Sequence, residues 1–141
     1  CIRDRMATAA MMGISFTVLV TDNRGYGCIN RLQIGTGGAE FNNLLDHSVH
    51  SQPSAIDFAA HAASMGATSV KVTSIADLEL ALSKRGDVAG PYVVVIDTDP
   101  YPSTEHGGTW WDVAVPQVSK RDKINAARSA YEINKTKQRT D

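Results

Sequence analysis

Three features of this 141-residue chain call for an α/β protein with a mainly parallel sheet. The run "ISFTVLV" at 14–20 has the length and branching of a buried strand, and "PYVVVIDTD" at 91–99 is continuously apolar through Ile96, as a strand covered on both faces must be. Between them "TSVKVT" at 68–73 alternates Val70 and Val72 with polar residues, the pattern of a strand near a sheet edge. Helical patterns with start signals separate these strands. Strand, helix, strand, helix, strand gives a parallel sheet with right-handed crossovers.

The elements follow in order along the chain. Met6 to Met12 has helical composition and is followed by Gly13, a suitable C-terminal cap. It lacks an N-cap signal, and Cys1 to Arg5 read as unrelated to it. Ile14 to Val20 is the first strand, and a polar turn follows in "TDNRGYGCINRLQ" at 21–33. Asn30 to Ser54, with "GTGG" and "FNNLL", reads as loop with at most one short helix; such length points to function or flexibility. Ser54 and Asp57 are spaced as a capping box ahead of a helix that presents Ile56, Ala59, Ala60 and Ala63 and ends near Gly66. Ser74 and Asp77 repeat the box before a stripe of Ile75, Leu78 and Leu82, and Lys84, Arg85 and Gly86 supply a basic last turn and a stop. After the strand at 91–99, "TWWDVAVPQV" is extended. Ser119 with Asp122 opens a last helix, 119–137, that presents Ile124, Ala127 and Tyr131.

Size and composition exclude several classes. A chain of 141 residues supports one core rather than two domains, so 1–141 reads as a single domain. A formal net charge of −1 offers no basic excess for a nucleic-acid backbone. Two cysteines, Cys1 and Cys28, cannot build a disulfide framework, which fits a reducing cytoplasm. Residues 6–20 resemble a signal peptide only superficially, because Thr8, Ser15 and Thr17 interrupt the apolar run. The run is also too short to span a bilayer.

The turn after the first strand is the chief candidate site. Asp22, Asn23, Gly25 and Gly27 lie at the carboxyl end of that strand, where open parallel sheets bind ligands. Asn23 offers a neutral oxygen, a glycine in a tight turn exposes its carbonyl, and successive amides at Gly25, Tyr26, Gly27 and Cys28 can face phosphate oxygens. These are partners that magnesium and phosphate favour. An ordinary strand-ending turn accounts for the same residues, and no Walker sequence or G-x-G-x-x-G points to a nucleotide. His47 and His50 could share a helix face but have no clustered carboxylate or thiol, and read as solvated polar residues. His61 reads as a partly buried, hydrogen-bonded residue, Trp110 and Trp111 as a cover for one end of the core, and Asp97 and Asp99 as turn-forming acids. No Ser-His-Asp or Cys-His constellation can be assembled.

The run "VLVTDNRGYGCINRLQ", then "IDFAAHAASMGATSVKVTSIADLELALSKR" and "GPYVVVIDTD", resembles the carboxy-terminal diphosphate-binding domain of thiamine-diphosphate enzymes of the acetolactate-synthase and decarboxylase group. The resemblance covers Ala7 to Asp99. The tail "GGTWWDVAVPQVSKRDKINAARSAYEINKTKQ" is similar to that of an inositol-catabolic hydrolase branch acting on a cyclic dione. What the resemblance implies is a three-layer αβα thiamine-diphosphate-binding fold, N-terminally truncated, with thiamine diphosphate and Mg2+ as cofactors. By position Asn23 would give its side-chain oxygen and Gly25 its carbonyl to the metal. Tyr26, Gly27 and Cys28 would line the diphosphate, and Ile29 would face the substrate side. Asp22 stands where the group usually has the first of two Asn residues. The opening Gly-Asp-Gly of the group's motif and the catalytic Glu of its amino-terminal domain would lie outside this chain, leaving no catalytic residue within it. Implied partners are a small cyclic dione, the amino-terminal domains of the same polypeptide, and further copies in a homodimer or homotetramer. An acetolactate-type ligase or 2-keto acid decarboxylase is the next reading, and a non-catalytic phosphate-binding α/β module is a third of another class.

Overall fold

The computed structural model describes residues 2–52, 54–102 and 113–138. By contacts these divide into two compact units, one formed by the residues up to Asn23 and from Gln52 to Thr98, the other by Arg24–Ser51 and the residues from Asp99 on.

The first unit holds the sheet. Strands β1 (Phe16–Asp22), β2 (Thr68–Val72) and β3 (Pro91–Asp97) lie in the order β1-β3-β2, and β3 is parallel to both neighbours. The register sets Phe16 opposite Pro91 and Asp22 opposite Asp97 on one side, and Thr68 opposite Tyr92 on the other. As its unbroken apolar run requires, β3 is central and buried from Pro91 to Ile96. Its two faces feed two clusters. Val93 and Val95 pack with Met6, Ala62 and Ala67, flanked by Val18, Val20 and Phe58. Tyr92, Val94 and Ile96 pack with Val72 and Ala81, flanked by Val70, Leu78 and Val88. Helices α1 (Ile2–Met11) and α3 (Phe58–Ala63) therefore cover one face and α4 (Ile75–Ser83) the other, which is the αβα layering expected.

The helix ends follow local chemistry. Gly13 has φ +66°, and the bonds Gly13 N–H to Ala10 O (3.2 Å) and Ile14 N–H to Ala9 O (2.9 Å) make it a Schellman cap for α1. Gly66, at φ +88°, closes α3 in the same way, with Ala67 N–H bonded to Ala62 O at 3.3 Å. Ser74 caps α4, accepting from Asp77 N–H at 3.0 Å while its own hydroxyl donates to Asp77 Oδ2 at 2.7 Å. Ser74→Ala should accordingly lower stability by about 1 kcal/mol. Urea midpoints compared with those of Ser83→Ala, whose hydroxyl only donates back to Leu80 O, would measure it; equal midpoints would remove the cap from the account.

Several boundaries depart from the expectations. The backbone of Ile2 to Arg5 belongs to α1 rather than lying apart from it. The first strand begins at Phe16 and runs through Asp22, because its ladder with β3 continues that far. Asp57, not Ser54, is the N-cap of α3, accepting from Ala60 N–H at 2.9 Å. The face of α3 on the core is Phe58, Ala59 and Ala62, with Met65 packing just past its end, while Ile56, Ala60 and Ala63 are exposed. In α4 the core takes Leu78 and Ala81, leaving Ile75 and Leu82 outward. Small alanines face the sheet there because helix and sheet approach closely, so apolar content alone misplaces the stripe.

The second unit contains α2 (Gly27–Gly35), a 3-10 turn at Leu45–His47 and α5 (Asp122–Lys135). The segment read as loop from Asn30 is thus helical at its start. Helix α5 begins at Asp122 with Arg121 as its N-cap; Ser119 Oγ accepts from Arg121 N–H at 3.1 Å and is not the cap. Ile124, Ala127 and Tyr131 form its half-buried face as expected. Gly37, at φ +82°, lets the chain touch the first turn of α5: a Cβ there would stand 2.5 Å from Lys123 O. Trp110, Trp111 and Cys1 lie outside the described residues.

Candidate functional site

Strand β1 ends at Asp22, paired with Asp97 at the carboxyl ends of two parallel strands, and Thr98 N–H closes the ladder on Asp22 O at 2.8 Å. Asp97 in turn meets Lys71 Nζ at 3.0 Å. Asn23, half-buried, is the next residue and the last of the first unit.

The second unit takes up the chain at Arg24, whose φ of +57° is left-handed and unusual for a residue with a Cβ. Backbone bonds then hold the turn in place. Tyr26 N–H donates to Asn43 O at 2.7 Å, Leu45 N–H donates to Arg24 O at 3.0 Å, and Gly25 forms an antiparallel bridge with Leu44. Gly25 is required for this approach, since a Cβ would fall 2.5 Å from Asn43 O and 2.8 Å from Leu44 Cα. Helix α2 starts immediately afterwards, with Tyr26 at the N-cap position and no side chain capping it. Its first intrahelical bond, Asn30 N–H to Tyr26 O at 2.9 Å, leaves the amides of Gly27, Cys28 and Ile29 in the first turn, where helix donors and the helix dipole suit an anion. The structure thus adds to the sequence pattern a reason for it: the glycines admit a tight turn, and the turn starts a helix whose N-terminus is bare of side-chain caps.

Tyr26 and Ile29 stand outward, 72% and 52% exposed, Cys28 is exposed, and Gly27 is buried. Among the described residues no group of three or more His, Cys, Asp or Glu could hold a metal. A divalent ion here would draw on neutral oxygens and on its ligand's phosphates, the donor set that magnesium accepts. An anionic group would meet the first-turn amides of α2, which no side chain caps.

Other sequence candidates are placed differently. His61 is exposed on α3 rather than partly buried, whereas His50, exposed after the 3-10 turn, is solvated as read. His47 is not a merely solvated residue: its ring bonds to the Tyr101 hydroxyl and approaches Glu40. Asp99 is a turn former as read, with Oδ1 accepting from Tyr101 N–H at 2.9 Å. The sequence gives no sign of the His47–Tyr101 pair, which joins positions 54 apart. Nor does it mark Asn30, wholly buried on α2 with Nδ2 bonded to Glu40 Oε1 at 3.4 Å.

A parallel sheet covered by helices on both faces, with a glycine turn and an uncapped helix start after an outer strand, defines an α/β cofactor-binding domain. The family model described as "Thiamine pyrophosphate enzyme, C-terminal TPP binding domain" matches residues 2–96, and the chain belongs to that family. Among its relatives, the 3D-(3,5/4)-trihydroxycyclohexane-1,2-dione hydrolase 2 of Bacillus cereus is 34% identical over 99% of this chain and 22% of its own length. The 3D-(3,5/4)-trihydroxycyclohexane-1,2-dione hydrolase of Bacillus thuringiensis is 35% identical over 89% of this chain and 20% of its own. That of Halalkalibacterium halodurans is 31% identical over 96% and 21%. The chain therefore spans about a fifth of the length of these curated relatives. No helix among the described residues is long and apolar enough to cross a membrane.

Proposed function

We propose that this chain is the cofactor-binding C-terminal domain of a longer, cytoplasmic, homo-oligomeric hydrolase. That enzyme depends on thiamine diphosphate and Mg2+ and opens the ring of 3D-trihydroxycyclohexane-1,2-dione to 5-deoxyglucuronate in myo-inositol catabolism. The observation that carries this reading is the extent of the likeness. The family model ends at residue 96, whereas the similarity to the Bacillus cereus hydrolase takes in 99% of the chain and so includes the tail beyond the shared domain. The two units are read as parts of one incomplete domain, 1–141, whose remainder and amino-terminal partner domains come from the rest of the polypeptide.

In this reading the chain binds and orients. Asn23 gives its side-chain oxygen and Gly25 its carbonyl to magnesium, and Tyr26, Gly27 and Cys28 line the diphosphate at the start of α2. Ile29, outward and apolar, faces the substrate side. The bound cofactor supplies the carbon nucleophile and electron sink needed to break a carbon–carbon bond. The protein's share is to hold the diphosphate so that the reactive end is fixed relative to the substrate, which converts an encounter into an oriented reaction.

Ring opening by the full-length protein with thiamine diphosphate and magnesium is the test. Turnover of the dione is expected. Conversion of pyruvate to acetolactate without action on the dione would reject the hydrolase in favour of a ligase of the same family. Absence of cofactor binding would reject both in favour of a non-catalytic module.

A further inference from the structure

The second unit brings together a carboxylate, an imidazole and a phenol that the cofactor motif does not use. His47 Nε2 lies 3.1 Å from Tyr101 Oη, with the rings tilted at 49° and their centroids 6.3 Å apart. On the other side His47 Nδ1 is buried and lies 3.5 Å from Glu40 Oε2, an ion-pair distance without hydrogen-bond geometry. Glu40 is held from behind, since its Oε1 accepts from Nδ2 of the fully buried Asn30. The row Asn30–Glu40–His47–Tyr101 thus runs from the interior outward, and Tyr101 at its end is half exposed.

This row is attached to the candidate cofactor turn within the same unit. His47 belongs to the 3-10 turn that begins at Leu45, and Leu45 N–H is bonded to Arg24 O. Asn30 lies on α2, whose first turn carries Gly27, Cys28 and Ile29. Asn30 and His47 are therefore tied to the backbone that surrounds Gly25, and Tyr101 is held through its bonds to His47 and Asp99. The Tyr101 hydroxyl holds Nε2 by a hydrogen bond, while the buried Nδ1 faces the Glu40 carboxylate without one, so the ring stands between a hydroxyl and a negative charge.

We propose that Glu40, His47 and Tyr101 form a proton relay for the reaction assigned above, with Tyr101 as the residue that meets a substrate hydroxyl or the attacking water. The inference rests on that functional reading. In the forward direction the water or hydroxyl loses its proton to Tyr101 Oη as the phenol's own proton passes to His47 Nε2. The imidazolium so formed faces the Glu40 carboxylate, whose charge stabilises it. In the reverse direction His47 returns its proton through Tyr101 to the developing oxyanion, and every group regains its starting state. No oxidant or second reagent is needed. Partial desolvation, then the carboxylates of Glu40, Asp46 and Asp99, push the Tyr101 phenol above its ordinary value, so the hydroxyl keeps its proton near neutrality for the relay to move. Glu40 and His47 act through Tyr101 and are positioning and relay groups.

The test uses the full-length protein with thiamine diphosphate, magnesium and the dione. His47→Gln and Tyr101→Phe should each lower kcat by about 10²- to 10⁴-fold, with KM and cofactor affinity within about threefold of wild type. The double variant should be no slower than the worse single one, as for residues acting as a unit. If both variants keep the wild-type rate and only melt at lower temperature, His47 and Tyr101 are a structural clamp and the relay is wrong. A wild-type protein inactive on the dione and on pyruvate overturns the functional reading and the relay with it; an active wild type with unaffected variants overturns the relay alone.

Discussion

Asn23→Ala in the full-length protein is expected to weaken thiamine diphosphate binding by at least about 10- to 100-fold across a magnesium titration. Removing even an outer partner of a bound metal has that effect, and magnesium tolerates little departure from octahedral coordination. The competing account makes Asn23 a turn former at the end of β1. On that account the substitution loses about 1 kcal/mol of stability through a local hydrogen bond, and cofactor affinity barely changes. The two outcomes separate cleanly, because tenfold in affinity corresponds to about 1.4 kcal/mol. Isothermal titration at several magnesium concentrations, with the melting temperature of the cofactor-free protein as control, distinguishes them. Affinity within about threefold of wild type together with a lower melting temperature would assign Asn23 to the turn alone.

Val94→Asp should prevent the first unit from folding at neutral pH. Val94 is 0% exposed at the middle of the central strand, with Leu19 and Val70 as its ladder neighbours. Its cluster contains one polar group, the Tyr92 hydroxyl, already bonded to Ala81 O at 3.1 Å. An unpaired buried carboxylate costs about 3–5 kcal/mol or more, a large part of the roughly 5–15 kcal/mol that holds a domain together. Lowering the pH should recover part of the structure. Burial raises the folded-state pKa of the introduced acid, so the folded form binds the proton more tightly and gains stability as pH falls. Far-UV circular dichroism and sedimentation read the result, and cooperative unfolding at the wild-type midpoint would show that the sheet centre tolerates charge.

Much of the first unit was legible because its signals are local. The unbroken run from Pro91 to Ile96 can be satisfied only at the centre of a sheet, and Gly13, Gly66 and Ser74 mark helix ends by chemistry that acts within a few residues. The stripes of α3 and α4 hold at Ala59 and Leu78 and fail at Ile56, Ile75 and Leu82, because alanines such as Ala62 and Ala81 carry no directional signal; which face meets the sheet is decided by the sheet. The start of α2 was hidden for a related reason. Gly27 at its first position and Asn30 within it are weak helix formers, and the bonds from Tyr26 to Asn43 and from Leu45 to Arg24 impose its starting geometry. The residues of the cofactor turn could be named from their pattern, whereas Glu40, His47 and Tyr101 come together only through the folding of the second unit.

The strand order has a consequence for the route by which the chain reaches its native state. β2, α4 and β3 are consecutive, so their pairing closes a short loop and carries little entropic penalty. β1 pairs with the same central strand across the whole of Arg24–Ser51 and the α3–β2–α4 segment. Contacts of such high sequence separation are slow to form and yield no stabilisation until the intervening chain is confined. The β2–α4–β3 unit is thus the natural nucleus, and β1 is a late arrival. Asn23, at the end of β1, takes its place with that late step, whereas the turn after it is held by its own bonds to Asn43, Leu44 and Leu45.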